Sequence, residues 1–387
     1  MPGFDPREPE TYWGLFRREA RLTAKRRGTP FAVGDPARSA DGLRLDWRID
    51  AAGRETRYTL LRWDDIVRDR FPRSNGRRIV ETVALWWRLW RTGYLRAYKR
   101  EARRFYRVIV GIHLIYAGFV AFSLILASTL MLGVGDLVPK PLALLAIPVV
   151  AYAILSGLMA VTRGKPFFVA HLVDDTAFTH AYAKGDAPEM EARLDAFAAE
   201  IRAAEGKAGE IVLIGHSSSS FFGFEALDRA LAADPDFGRR GTPVSFVTIG
   251  SVIAWITLDE NAAATRAALA RVAASDAIGW LDIRTKWDWL SIYKRDPLSA
   301  SGLPSPKHHR PVEFHVRMPD LVEAERLSRR RFNLFQMHFQ LLMASDSPDT
   351  FDYISLVAGP EPVHALIESW RSIKAQPMGQ EMEVDGW

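Results

Sequence analysis

EIVLIGHSSSSFFGFEALDRALAADP, residues 210–235, decides the fold. EIVLIG (210–215) is a short apolar, β-branched run closed by a glycine, which reads as a buried strand. Ser217 to Ser220 form a turn, and FFGFEALDRALAADP carries the composition of a helix. Strand, tight turn and helix therefore follow one another directly. Working outward, PVSFVTIG (243–250), WLDIRTKW (280–287) and PVEFHVRM (311–318) read as further strands, separated by helical stretches such as NAAATRAALARVAA (261–274). On the other side, KPFFVAHLVDD (165–175) reads as a strand. A helix follows it in MEARLDAFAAEIRAAEG, where Met190, Leu194, Phe197 and Ile201 recur at helical spacing and Gly206 closes the run. This alternation predicts an α/β fold, a mainly parallel sheet with helices on both faces.

Two runs interrupt that pattern. VIVGIHLIYAGFVAFSLILASTLMLGV (108–134) has no formal charge and exceeds the roughly 20 residues needed to cross about 30 Å of hydrocarbon; PLALLAIPVVAYAILSGLMAV (141–161) has about the minimum length. Only GDLVPK joins them, so they are expected as an antiparallel transmembrane hairpin (106–162). It lies between an N-terminal segment (1–105) and a C-terminal α/β part (163–387). His113 lies inside the first run, where a neutral imidazole bonded to the partner helix is the expectation. The stretch 78–99 mixes Trp86, Trp87, Leu89, Trp90 and Tyr94 with basic residues, which suits a helix in the headgroup layer or one packed on the soluble part.

The chain of 387 residues carries a net charge of +5 and has a pI near 9.4. Arg88, Arg91, Arg96, Lys99, Arg100, Arg103, Arg104 and Arg107 crowd the approach to the first run. A basic excess so placed favours a membrane surface over nucleic acid. With Arg163 and Lys165 it outweighs Lys140 in the connection, so the positive-inside rule puts both flanks in the cytoplasm. There is no cysteine, hence no disulfide, thiolate metal site or cysteine nucleophile. Met1 to Glu10 carries charge and proline where a signal peptide needs an apolar core.

The chemistry concentrates at Gly215-His216-Ser217-Ser218-Ser219, which approximates the pattern G-x-S-x-G. A sharp strand-to-helix turn lifts a serine hydroxyl off the sheet edge, and small residues two before and two after let strand and helix approach. Gly215 meets the first requirement, and Ser219 stands where the second glycine is usual. The same turn could cap a helix or bind an anion through its amides. A nucleophilic Ser217 needs a base and an orienting acid, in the order Ser, acid, His. Asp288, after WLDIRTKW, is the first choice of acid and Asp296 the second, with Asp282 read as structural. His338, in RFNLFQMHFQLL, is best placed as base. His364 lies late, His315 within a strand, and His308 and His309 in a polar loop.

GHSSSS after an apolar strand, VTIGS on the next, an aspartate turn and a late HFQ together resemble the α/β-hydrolase superfamily, in its serine esterase and lipase-like members, over about residues 166–370. MPGFDPREPETYWGLFRREA is similar to the Gly-containing oxyanion loop of such enzymes, although the strand expected before Pro2 is absent. The resemblance implies a membrane hairpin inserted into one hydrolase domain. It also implies acyl transfer through Ser217, His338 and Asp288, with oxyanion donors at the Ser218 N–H and at Phe4 or Asp5. No metal, nucleotide or other cofactor is implied. The expected partners are membrane lipid and a small-molecule or lipid ester. A hydrolase fold without activity, serving as membrane scaffold or partner-binding module, is the alternative. DD at 174–175 and DLVEAE at 320–325 supply carboxylates without histidines at metal-binding spacing.

Overall fold

The structure, a computed structural model, describes residues 1–133, 139–162, 168–304 and 311–375. It is mixed α/β, with two four-stranded sheets and two long apolar helices.

Helix α1 (Pro9–Arg27) leads into an antiparallel sheet of β1 (Phe31–Val33), β2 (Ala37–Arg38), β3 (Arg44–Ala51) and β4 (Arg54–Leu61). Along β3, Leu45, Trp47, Ile49 and Ala51 are buried in strict alternation. β3 and β4 are joined through Ala52 and Gly53, both at positive φ (50° and 80°). Two such residues make the tight turn whose twist matches the flanking strands. The sequence-based expectation contains no strand here. The signal lies in RLDWRIDA, a period-two apolar pattern running into a glycine turn.

Next come α2 (Asp64–Arg70), α3 (Asn75–Arg91) and α4 (Tyr94–Glu101). The stretch 78–99 is thus two helices, parted where Gly93 takes φ 75°. Both expectations for it hold part of the truth. Leu89 and Tyr94 are buried in the soluble core, whereas Val80, Val83, Trp87 and Trp90 form an exposed stripe along α3.

The expected hairpin is α5 (Arg103–Gly133) and α6 (Lys140–Thr162), two helices long and apolar enough to cross a membrane; residues 134–138 of the connection lie outside the described residues. In their most apolar windows only 28% and 17% of residues are buried, unlike a core helix. Small side chains such as Ser123, Ala127, Ala143 and Ala151 are buried on the two helices, while Leu124, Ile125, Leu145 and Val149 point outward. Close approach through small residues is how apolar helices associate where no hydrophobic effect drives them together. His113 bonds the Ile109 carbonyl of its own helix at 2.8 Å and packs edge-on against Trp86, so its partner is not the second helix.

The strand expected over 165–175 is not seen among its described residues. From Val169 on they belong to α7 (Val169–Ala183), on which Val169, Leu172, Val173, Thr176 and Thr179 are buried at spacings of three and four. The short apolar run imitates a strand only if it is cut off at Asp175; carried on to Tyr182 its period is helical. Then follow α8 (Pro188–Ala203), β5 (Ile211–His216), α9 (Ser219–Ala233), β6 (Val244–Ile249), α10 (Ile253–Thr257), α11 (Ala263–Ala274), β7 (Ile278–Arg284), α12 (Pro297–Ala300) and β8 (Val312–His315). The four strands pair in parallel in the order β5-β6-β7-β8. The chain ends in α13 (Met318–Leu321), α14 (Ala324–Arg330), α15 (Leu334–Phe339), α16 (Tyr353–Ala358) and α17 (Val363–Ala375).

Every residue of β6 is buried, as a strand covered on both faces requires. Val244, Phe246, Ile278 and Trp280 face a core shared with α8, α9 and α11. Val247, Ile249, Leu281 and Ile283 face α1, α17 and the antiparallel sheet. The first core also holds Phe4, Trp63, Leu89 and Tyr98, so the segments before and after the hairpin share one interior.

Candidate active site

Parallel strands all end on one edge, and loops from that edge form the crevice in open α/β sheets. Ser217 follows β5 directly and has φ 58°, a left-handed backbone that a side chain adopts at a cost of about 1 kcal/mol or more. Its N–H donates to the Ile249 carbonyl of β6 at 3.1 Å, which holds the turn. Glycine is required at 215, because a Cβ there would lie 2.4 Å from the Ser219 carbonyl oxygen at the start of α9. Ser219, in the place of the second glycine, is fully buried, and its hydroxyl donates to the Pro2 carbonyl.

That bond ties the turn to the N-terminal loop. Trp63 Nε1 donates to the same Pro2 carbonyl at 2.8 Å. The Met1 nitrogen donates to the Ile214 carbonyl and the Met1 carbonyl accepts from His216 N–H, so Met1 lies beside β5 in the manner of a parallel neighbour. Gly3 then passes so close that a Cβ on it would stand 2.9 Å from the Ser217 Cβ. This brings buried Phe4 to the same crevice as buried Ser218. The amides of Ser218 and Phe4 have no acceptor among the described residues. Buried amides are rarely left so.

Asp288 lies four residues beyond the end of β7, in a turn rather than at the strand end. Its Oδ2 is 2.7 Å from His338 Nδ1 on α15, and both side chains are buried. Leu290 N–H donates to the other carboxylate oxygen at 2.9 Å. Burial pushes the Asp288 carboxyl up, but the imidazole and the amide outweigh it and hold the group below the usual carboxylate range. His338 Nε2 has no partner among the described residues. His216 packs against His338 with its ring tilted, at 4.4 Å between centroids, and is kept neutral by burial, well below its ordinary pKa. Arg104, in the first turn of α5, donates to the carbonyls of Lys286 and Asp288 and so ties the aspartate loop to the base of the hairpin.

Ser217 and His338 line one cavity of about 650 Å³ together with Gly3, Phe4 and Asp5. Part of its lining is apolar, made by Phe105 of α5, Trp255, Leu290 and Phe335. The Asp5 carboxylate is engaged by Arg7 and Tyr12, while the backbone N–H of Asp5, like that of Phe4, has no acceptor among the described residues. Two titrating cavity residues, His171 and Asp175, were not singled out from sequence. Asp175 on α7 approaches Ser218 Oγ at 3.4 Å, and burial pushes its carboxyl up to about 8. The sequence marks it only as the second of two adjacent acids.

The remaining candidates fall elsewhere. Asp296 caps α12. Asp282 pairs with Arg284 and accepts from Thr248, the structural role read for it. His364 bonds Glu210, and His315 is exposed near Glu313. His308 and His309 lie outside the described residues. No group of three or more histidines and carboxylates among the described residues is placed to hold a metal ion. Comparison of the chain with protein-family models, with curated proteins and with solved structures found no match.

Proposed function

We propose that this protein is a serine hydrolase of the α/β-hydrolase kind, held to a membrane by the α5–α6 hairpin and cleaving ester bonds. The observation that carries the reading is Ser217, on a strained turn, opening onto the same cavity as a His338 whose Nδ1 is fixed by buried Asp288 and whose Nε2 is free.

In this reading His338 Nε2 takes the Ser217 proton as Oγ adds to the ester carbonyl. The oxyanion is met by the amides of Ser218 and Phe4, each such donor being worth about 3 kcal/mol in the transition state. Collapse breaks the ester C–O bond, and the imidazolium returns its proton to the departing alcohol. Water, deprotonated by the same histidine, then releases the acid and restores Ser217. Asp288, ionised throughout, holds the tautomer and offsets the imidazolium charge. Ser219 accounts for the departure from the usual glycine: its hydroxyl fastens the loop that carries Phe4.

The basic residues flanking the hairpin support a cytoplasmic site. A cysteine introduced as Asp136→Cys is expected to react with an impermeant maleimide from outside intact cells; protection until lysis reverses that topology. The hydrolase reading is tested by a fluorophosphonate probe on the detergent-solubilised protein, with Ser217→Ala and His338→Ala alongside. Labelling lost in both variants is expected. A folded native protein that never labels leaves the scaffold alternative standing.

A further inference from the structure

The cavity lining is of two kinds. One part is apolar and includes Phe105, Trp255, Leu290 and Phe168. Leu290 belongs to the same apolar cluster as Ile112 and Leu155 of the hairpin, so this wall is continuous with the membrane helices. The other part follows α1 as far as Arg18 and includes Gln336 and Met343. Those three residues also line a second cavity of about 380 Å³, whose charged walls are Arg18, Arg26, Arg326, Arg330 and Glu19.

The charge in this second space is not balanced. Arg18 pairs with Glu19 at 2.8 Å. Arg26 and Arg326 share a single carboxylate, Asp346. Arg330 is half-buried and has no partner among the described residues. Four guanidiniums therefore meet two carboxylates. Arg7, the remaining cation of the larger cavity, is already neutralised by Asp5. Guanidiniums held together without matching anions repel each other, and their planar donors suit phosphate oxygens.

We propose that the site takes the acyl ester of an anionic, phosphate-bearing alcohol. The acyl chain lies among Phe105, Trp255 and Leu290, the carbonyl lies at Ser217, and the phosphate lies in the second cavity against Arg18, Arg326 and Arg330. This rests on the hydrolase reading and adds the leaving-group side to it. Such a lipid would stand with its chain toward the hairpin and its head away from the bilayer, which is the orientation a membrane supplies.

The test compares two substrates with the same acyl chain in neutral-detergent micelles, a monoacylglycerol phosphate and the monoacylglycerol lacking the phosphate, using the full-length protein, Arg330→Gln, Arg330→Lys and Arg18→Gln/Arg330→Gln. The native protein is expected to prefer the phosphate-bearing ester by about 10-fold or more in kcat/KM. Arg330→Gln should lose most of that preference through KM, the double variant the rest, and Arg330→Lys should regain part of it. The neutral ester serves as the control for folding. Equal turnover of both esters by the native protein, or variants that slow both alike, overturns the phosphate site while fluorophosphonate labelling of Ser217 keeps the hydrolase reading intact. Absence of labelling removes both.

Discussion

Among the described residues are two buried aspartate–histidine pairs of almost the same geometry. Asp288 and His338 are 2.7 Å apart; Asp259 and His180 are 2.6 Å apart. In both, Nδ1 faces the carboxylate and Nε2 has no partner among the described residues. What separates them is a third group and a space. Arg88 donates to both oxygens of Asp259, at 3.0 and 2.9 Å. Burial would raise Asp259, but His180 and Arg88 hold it ionised. Burial, reinforced by the repulsion of Arg88, lowers His180 and keeps it neutral. A proton on His180 would have no uncompensated anion to meet. It also has nowhere to come from, since His180 is wedged between Tyr94 and Trp255. Among the described residues no guanidinium bonds the Asp288 carboxylate, Arg104 reaching only its backbone carbonyl, and its histidine opens onto the cavity of Ser217. Distance within a pair therefore says little about chemistry. Free charge and access decide it.

The comparison breaks most directly through activity. Ser217→Ala or His338→Ala is expected to lower ester hydrolysis by about 10⁴-fold or more, and Asp288→Asn by about 10⁴-fold, since an amide there favours the wrong imidazole tautomer. The matching change in the other pair, Asp259→Asn, should leave the rate per folded molecule unchanged and act on stability. It strips the counter-charge from half-buried Arg88 and the acceptor from neutral His180, a loss of about 3 kcal/mol, the low end for a buried pair. Rates over a substrate titration, paired with thermal unfolding in detergent, separate the two. If Asp259→Asn slowed catalysis as Asp288→Asn does, the distinction drawn from Arg88 and the cavity would be wrong.

A smaller effect probes what the cavity side has and the sealed side lacks, a loop held over the serine. Ser219→Gly restores the small residue usual at this place and removes the donor to Pro2. Losing that hydrogen bond costs about 1 kcal/mol of stability. The freed loop carries Phe4, so kcat should fall about 10-fold with KM little changed, as expected when only transition-state stabilisation is lost. A Ser219→Gly variant with native kcat separates the Pro2 loop from the oxyanion.

Legibility in the sequence divides along the same line between local and distant. Residues 211–233 were readable because strand, turn and helix are adjacent and each has its own period. The hairpin helices were readable from length and apolarity alone. Residues 165–175 misled because a short apolar run has no visible period until it is extended. The β3–β4 hairpin was overlooked despite its alternation, in a region where charges at Arg44, Asp46, Arg48 and Asp50 dilute the apolar signal. For the site, the place of Ser217 directly after its strand was legible, whereas Asp288, expected at a strand end, lies in the turn four residues beyond it. The bond from Ser219 to Pro2, the hold of Arg104 on the Asp288 loop and the unshared charge of Arg330 join residues far apart in the chain, and no local pattern encodes them.

Helix α7 carries a member of each environment, His180 on the sealed side and Asp175 at the cavity, and this gives the subtlest test. Asp175 is ionised in the unfolded chain above pH about 4, whereas in the fold burial keeps it protonated up to about 8. Folding thus binds a proton between those values, and the unfolded state holds fewer protons than the native one. Stability attributable to this group must then fall as pH rises from about 4 to about 8 and level off beyond it; below about 4 both states are protonated and the group contributes nothing. Asparagine keeps the shape without the proton. Asp175→Asn is therefore expected to be as stable as the native protein near pH 4 and to gain on it steadily toward pH 8, by an amount on the order of a few kcal/mol at the plateau. Unfolding followed across this range is the measurement. A difference that stays flat with pH would mean that Asp175 ionises in the fold, and that the cavity side of α7 is better hydrated than the side that buries His180.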